Sequence, residues 1–170
     1  MSFIKTFVFL ALMQTILPSL LHADIIDDVC VKVQDPPFCR TFLRSTRNRA
    51  PNLVFLGRVS LSELRGNTNS NIDYLTLKSN IPTLKELYRR CLGAYKVAAT
   101  TTDDCESSLI RTKDYAKVKS LAIVIKNNAQ ICIDTVSRWD DQVAKTTDKQ
   151  MALANIVEVI GSMLSGGKRS

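Results

Sequence analysis

The chain has 170 residues, with 23 Lys and Arg against 16 Asp and Glu, so its formal net charge is +7 and its length suits one domain. Its only histidine is His22, so the rest of the chain has no imidazole for a serine or cysteine triad or for the usual zinc sites. We therefore expect no cofactor, no bound metal and no imidazole-based catalysis.

Residues 1–23 have the pattern of a secretory signal peptide. Lys5 supplies the positive start, residues 7–17 form the apolar core, and Ala23 is a small residue at the expected cleavage site. The apolar run is shorter than the roughly 20 residues that a membrane-spanning helix needs. Cleavage would remove one lysine and no acid, which lowers the net charge from +7 to +6. We expect a secreted protein that has no membrane contact after the signal is removed.

Residues 24–50 are predicted to form a helical hairpin that a disulfide closes. Apolar residues recur at helical spacing up to the segment Gln34-Asp35-Pro36-Pro37, which ends the first helix and makes a turn. Cys30 and Cys39 bracket this turn, and cysteines of secreted proteins are normally paired. They are close enough in sequence to join the two short helices.

Residues 51–165 carry helical apolar spacing in four successive segments. The first helix is predicted over residues 52–79, with a break or bulge at 65–71, where helix formers are poor. Pro82 opens the second helix at a first-turn position, where its missing N–H costs nothing. A polar linker precedes the last helix, which Thr147-Asp148 is predicted to cap.

The apolar spacing of the second and third of these helices predicts a second disulfide, which joins one helix to the other. Apolar residues on each helix follow steps of three and four, as in bundled helices. Residues 111–114 are only long enough to reverse the chain, so the two helices should be antiparallel. Facing residues then have numbers that sum to about 223, as Cys91 and Cys132 do. The two apolar stripes are Leu84, Tyr88, Cys91, Tyr95, Ala98, Thr102, Cys105 and Leu109, and Tyr115, Val118, Ala122, Ile125, Ala129, Cys132, Val136 and Trp139.

Cys105 is left unpaired in this register, where it faces Val118. It lies 14 residues from Cys91 on the same helix, which is about 21 Å at about 1.5 Å per residue. A disulfide tolerates only about 7 Å between Cα atoms, so Cys132 can bond one of the two and the register favours Cys91. We expect Cys105 to be a buried free thiol that packs as a small apolar residue, because a reactive thiol needs exposure and a lowered pKa.

Together these elements predict an all-α fold, a four-helix up-and-down bundle preceded by an N-terminal helical hairpin, with two disulfides. The predicted organisation is a signal peptide at 1–23 and a domain at 24–165, which consists of the hairpin at 24–50 and the bundle at 51–165, followed by a flexible tail at 166–170.

A series of short motifs runs in order along the mature chain: Val29-Cys30, Asp35-Pro36-Pro37-Phe38-Cys39, Leu56-Gly57, Cys91-Leu92-Gly93-Ala94-Tyr95, Lys113-Asp114-Tyr115 and Cys132-Ile133-Asp134. In their order and cysteine spacing, these motifs resemble the plant invertase and pectin methylesterase inhibitor family. The cysteine pairing of that family implies Cys30–Cys39 and Cys91–Cys132 here, in agreement with the register.

The resemblance implies a non-catalytic inhibitor that binds pectin methylesterase one-to-one and covers its substrate cleft. At the tip between the second and third bundle helices, invertase inhibitors of the family often carry Pro-Lys-Phe, whereas this chain has Lys113, Asp114 and Tyr115. That tip is more similar to the pectin methylesterase branch, and its three residues are candidate partner contacts. A helix start, with Asp114 as the cap and Tyr115 as the first seam residue, would account for the same residues.

Two other functions fit the same residues. The target within the family could be an acid invertase, because the late cysteine often seen in the pectin methylesterase branch is missing, with Ala154 or Asn155 near its place, and Cys105 is not a usual family position. From another class, the chain could be a secreted structural or signalling bundle that inhibits nothing.

The basic charge has three interpretations: the solvated surface of an ordinary protein, a weak electrostatic contact with acidic pectin, or binding to nucleic acid. We expect no nucleic-acid partner, because no basic helix has interleaved aromatic residues. The adjacent acids Asp103-Asp104 and Asp140-Asp141 are expected to be solvated rather than catalytic, because neighbours on a helix point in different directions. The expected location is the apoplast of the plant cell wall rather than the vacuole.

Overall fold

The structure, a computed structural model, describes residues 24–46, 51–136 and 138–166. The expected signal peptide and residues 167–170 of the expected tail lie outside this part. The described residues form no strand; a 3-10 turn at Pro82–Leu84 and a π-helical turn at Ser108–Thr112 accompany the α-helices. The six α-helices are α1 (Ile25–Cys30), α2 (Pro36–Arg44), α3 (Leu53–Lys78), α4 (Lys85–Ser107), α5 (Tyr115–Thr135) and α6 (Asp141–Gly166).

Helices α3 to α6 form a four-helix ring in which each helix packs against the next and α6 packs against α3. Short connections reverse the chain between them, which makes the arrangement an up-and-down bundle. The α1–α2 hairpin covers one end, where Val29 and Leu43 are buried with Leu56 of α3 and Ile160 of α6. The predicted all-α fold, a bundle preceded by a helical hairpin with two disulfides, is confirmed.

Two disulfides link neighbouring helices. Cys30–Cys39 joins α1 to α2 with Cα atoms 5.5 Å apart. Cys91–Cys132 joins α4 to α5 with Cα atoms 4.7 Å apart. Cys105 is a buried free cysteine, and its Sγ lies 3.6 Å from the carbonyl oxygen of Val118. Cys91 therefore faces Cys132, and Cys105 faces Val118, as the antiparallel register of α4 and α5 predicts.

The predicted break in the first bundle helix is wrong, because α3 is continuous from Leu53 to Lys78. The polar residues of its middle are held by hydrogen bonds. The Thr68 hydroxyl is 2.7 Å from the carbonyl oxygen of Leu64, and the Asn67 amide donates to Gln150 Oε1 of α6 at 2.9 Å. Partners on another helix thus offset the poor helix propensity of this stretch.

The predicted start of the last helix is also wrong. Helix α6 begins at Asp141, and Asp140 precedes it as the cap, accepting hydrogen bonds from the backbone N–H groups of Gln142 and Val143 at 3.1 Å each. Thr147 is buried inside the helix and hydrogen-bonds the Tyr95 hydroxyl at 3.1 Å. The linker expected before Thr147 is therefore the first turns of α6.

Trp139 does not close the seam as predicted. Helix α5 ends at Thr135, and Trp139 follows in the connection to α6 with 67% of its surface exposed. The seam instead ends at Val136, which is buried beside Cys132 and Tyr88. None of the helices in the described part has the length and apolar character needed to cross a membrane.

Candidate functional site

The candidate contact residues lie at the turn between α4 and α5, which we call the α4–α5 tip and define as residues 108–115. The end of α4 widens into the π-helical turn at Ser108–Thr112, and Lys113 then takes a left-handed conformation with φ 53° and ψ 33°. The backbone N–H of Asp114 donates to the carbonyl oxygen of Ser108 at 3.0 Å and closes the turn. Irregular helical turns of this kind are frequent at functional sites.

The three candidate residues have different environments at this tip. Asp114 caps α5, because its carboxylate accepts a hydrogen bond from the backbone N–H of Lys117 at 3.0 Å. Tyr115 is half-buried and packs against the core cluster of the bundle. Lys113 is exposed, and none of the ion pairs among the described residues includes it. Among the three, Lys113 is thus the residue whose side chain is exposed and neither caps a helix nor packs against the core.

A charged groove lies beside the tip, between α3 and the end of α4. Arg65 of α3 donates to Asp103 Oδ1 at 2.8 Å and 3.1 Å and also to Glu106 of α4. The hydrogen bond to Glu106 and then that to Asp103 raise the pKa of Arg65 above its usual value. Arg111 of the tip lines the same groove, and Asp104 is exposed there.

This cluster was missed in the sequence, where Asp103 was expected to be solvated. The ion pair between Arg65 and Asp103 joins residues 38 positions apart, so no local sequence pattern predicts it. The polar groove and the exposed tip together carry both signs of charge.

The groups that most often carry reactive chemistry are, in the described part of the chain, one free thiol and dispersed acids. No group of three or more His, Cys, Asp or Glu side chains could hold a metal ion there. Burial, with a smaller contribution from the charge of Glu106, raises the pKa of the Cys105 thiol to about 12. The thiol is therefore protonated at neutral pH and is a poor nucleophile.

The fold is that of known enzyme-inhibitor structures. The crystal structure of a pectin methylesterase inhibitor from Arabidopsis thaliana matches 85% of this chain and 98% of its own, with a TM-score of 0.65 and 23% sequence identity. A mutant form A of a pectin methylesterase inhibitor from Arabidopsis matches 79% of this chain and 93% of its own, with a TM-score of 0.73 and 23% identity. No protein-family model matches the chain, and no curated protein matches it in sequence.

Proposed function

We propose that this chain is a secreted inhibitor of pectin methylesterase, of the plant invertase and pectin methylesterase inhibitor family, and that it blocks the substrate cleft of the enzyme in a one-to-one complex. The observation that carries the proposal is the likeness of the fold to two pectin methylesterase inhibitor structures, of which 98% and 93% are covered. The motif order and cysteine spacing in the sequence support the same family.

The build of the molecule suits inhibition by occlusion. A rigid surface binds a partner with higher affinity than a flexible one, because less side-chain and backbone freedom is lost on docking. Here Cys91–Cys132 fixes α4 against α5 far from the tip, and the tip itself is closed by the hydrogen bond from the Asp114 N–H to the carbonyl oxygen of Ser108 at 3.0 Å. Lys113, Asp114 and Tyr115 are the proposed contacts. The apolar side chain of Ile110, 38% exposed on the same tip, adds area that a partner can cover.

The proposed place of action is the apoplast. Residues 1–23 have the features of a cleavable export signal, and the two disulfides suit an oxidising compartment. A pectin methylesterase acts on a wall polymer, so enzyme and inhibitor would meet outside the cell.

Titration of purified residues 24–170, with both disulfides verified, tests the function. We expect pectin methylesterase activity to fall linearly and to reach its minimum at about one equivalent of inhibitor, provided that the enzyme concentration is well above Kd. Acid invertase assayed beside it should keep its activity. Inhibition of invertase alone would transfer the function to the alternative target. Inhibition of neither enzyme would indicate the non-inhibitory structural or signalling role.

Replacing Lys113 by glycine tests the α4–α5 tip with little risk to the fold. Glycine adopts the left-handed conformation of this position without strain, so stability should hold or rise by up to about 1 kcal/mol. If the side chain contacts the enzyme near the centre of the interface, inhibition should weaken about tenfold. Inhibition constants and thermal unfolding are the measurements.

The matched control is Lys145→Ala, which removes one exposed lysine from the first turns of α6, at the opposite end of the bundle. Its inhibition constant should match the wild-type value. Full inhibition by Lys113→Gly would exclude this side chain from the interface.

A further inference from the structure

Five cations gather at the end of the bundle that carries the α4–α5 tip: Lys32, Arg111, Lys113, Lys117 and Lys119. We call them the basic end. Each is exposed, and the ion pairs within the described residues include none of them. They come from the segment after α1, the tip, and the first two turns of α5. Separate parts of the fold therefore contribute to the basic end.

A groove connects the hairpin side of the basic end to α5. Lys32 and Lys119 both line it, together with Val159 and Met163 of α6. On the other side of α5, Lys117 lies in the first turn of the helix, and Lys113 precedes the Asp114 cap. The start of α5 therefore has lysines on both of its sides.

The acids near these cations are mostly engaged elsewhere. Glu158, in the groove with Lys32 and Lys119, pairs with Lys126 at 2.8 Å. The Asp114 carboxylate accepts the N–H that caps α5. Asp103 and Glu106 pair with Arg65.

Three exposed acids without an ion pair remain near the basic end: Asp28 on α1, Asp104 beside Arg111, and Asp114 beside Lys113. The five cations outnumber them, so the positive charge of this surface is not neutralised from within the chain. An anionic partner is what such a surface attracts.

The side chains of the basic end fit a polymer of carboxylates better than a nucleic acid. Four of the five are lysines, which act as point charges and lack the bidentate fork of arginine. Base stacking needs exposed aromatic rings, and the exposed tryptophan, Trp139, lies at the opposite end of the bundle.

We propose that the basic end binds de-esterified, polyuronate-type pectin, an inference that rests on the proposed function for its choice of polyanion. Hydrolysis of a pectin methyl ester breaks the ester C–O bond with water and yields methanol and a carboxylic acid, which ionises at neutral pH. The substrate stretch is neutral and the product stretch is anionic. The site would therefore hold the inhibitor where the target enzyme has already acted.

The test is a binding measurement with two polymers, de-esterified polygalacturonate and highly methyl-esterified pectin. The wild-type chain should bind the first and bind the second at least about tenfold more weakly, and added salt should weaken the binding because exposed charges are screened. A triple variant, Lys32→Gln, Lys117→Gln and Lys119→Gln, should bind de-esterified polymer about tenfold more weakly, with each exposed pairing contributing a small part.

The matched control removes the same charge from the outer side of α4, with Lys85→Gln, Arg89→Gln and Lys96→Gln. It should keep most of the polymer binding, and circular dichroism should show both variants folded. Equal losses in the two variants would overturn the site, because net charge alone would then explain binding. Equal binding of the two polymers would overturn the preference for carboxylates.

Enzyme inhibition by the same variants, assayed on a small neutral ester, separates the two proposals. Retained inhibition with lost polymer binding is the expected result for the triple variant. Lost inhibition with unchanged polymer binding would show that these lysines contact the enzyme and would overturn the polymer site. If the wild-type chain binds the polymer through these lysines but inhibits neither enzyme, the polymer site is supported and the proposed function fails.

Discussion

Replacing Cys91 and Cys132 together by alanine is expected to lower the free energy of unfolding by about 4 kcal/mol through lost chain linkage, by the chain-entropy estimate for a closed loop of this length, and by about 1 kcal/mol more for each buried sulfur atom removed. The two cysteines are 41 residues apart, so the unfolded chain gains much freedom when their bond is absent. The pair Cys30→Ala/Cys39→Ala should lose less through chain linkage, about 3 kcal/mol, because its loop spans only 9 residues. Equilibrium denaturation without reductant measures both values.

The control for this prediction is Cys105→Ala. Cys105 is as buried as the bonded cysteines but forms no disulfide, so its replacement removes only one packed sulfur atom, at a cost of about 1 kcal/mol. If all three variants lost the same stability, packing rather than chain linkage would be the main contribution of these cysteines. A non-reducing peptide map that joins Cys105 to Cys132 would contradict the register of the α4–α5 seam.

The bundle and its hairpin could be predicted from the sequence because their determinants are periodic and local. A step of three and four residues reports which face of a helix is buried, and the short segment before Tyr115 requires α4 and α5 to be antiparallel. The two facts together fix which residues face each other. The contact between the Cys105 thiol and the carbonyl of Val118 follows from the same count.

The two helix boundaries that were wrong depend on partners distant in sequence. Thr147 and Asp148 have the residue types of a cap, but Thr147 lies inside α6 and hydrogen-bonds Tyr95 of α4, 52 positions earlier. Asn67 and Thr68 are poor helix formers, yet α3 continues through them because Gln150 of α6 provides hydrogen bonds. Local propensity cannot include these contacts, and they override it.

The candidate site could be predicted only in outline. The sequence places Lys113, Asp114 and Tyr115 at a chain reversal, where exposure is expected. It has no signal for the π-helical turn or for the left-handed backbone of Lys113. The ion pair of Arg65 with Asp103 and Glu106 was equally hidden, because packing of α3 on α4 creates it.

Asp140 was expected to be a solvated acid, but the structure makes it a hub of hydrogen bonds at the opposite end of the bundle. Its carboxylate accepts from the hydroxyls of Tyr74 and Tyr88 at 2.9 Å each, and from the N–H groups of Gln142 and Val143. Replacing Asp140 by alanine removes the helix cap, which costs about 1 kcal/mol, and leaves the buried Tyr88 hydroxyl without this partner, which costs about 1–3 kcal/mol more. We expect a total loss of about 3 kcal/mol in the free energy of unfolding, measured by denaturant titration.

The same variant should change the titration of Tyr88. Burial first, and then the hydrogen bond to Asp140 and its charge, raise the pKa of Tyr88 from 10.0 to about 12. A raised tyrosine pKa adds stability that is fully present below pH 10 and is lost as the pH rises towards 12, because the folded protein holds the proton more tightly. Without Asp140, the pKa of Tyr88 should fall and burial alone should hold it above 10.0, so this alkaline loss of stability becomes smaller.

Tyrosinate absorbance follows the titration, and Asp141→Ala, which removes the exposed neighbouring carboxylate, should leave it unchanged. An identical titration of Tyr88 in the Asp140 variant would show that the carboxylate does not hold the hydroxyl in solution.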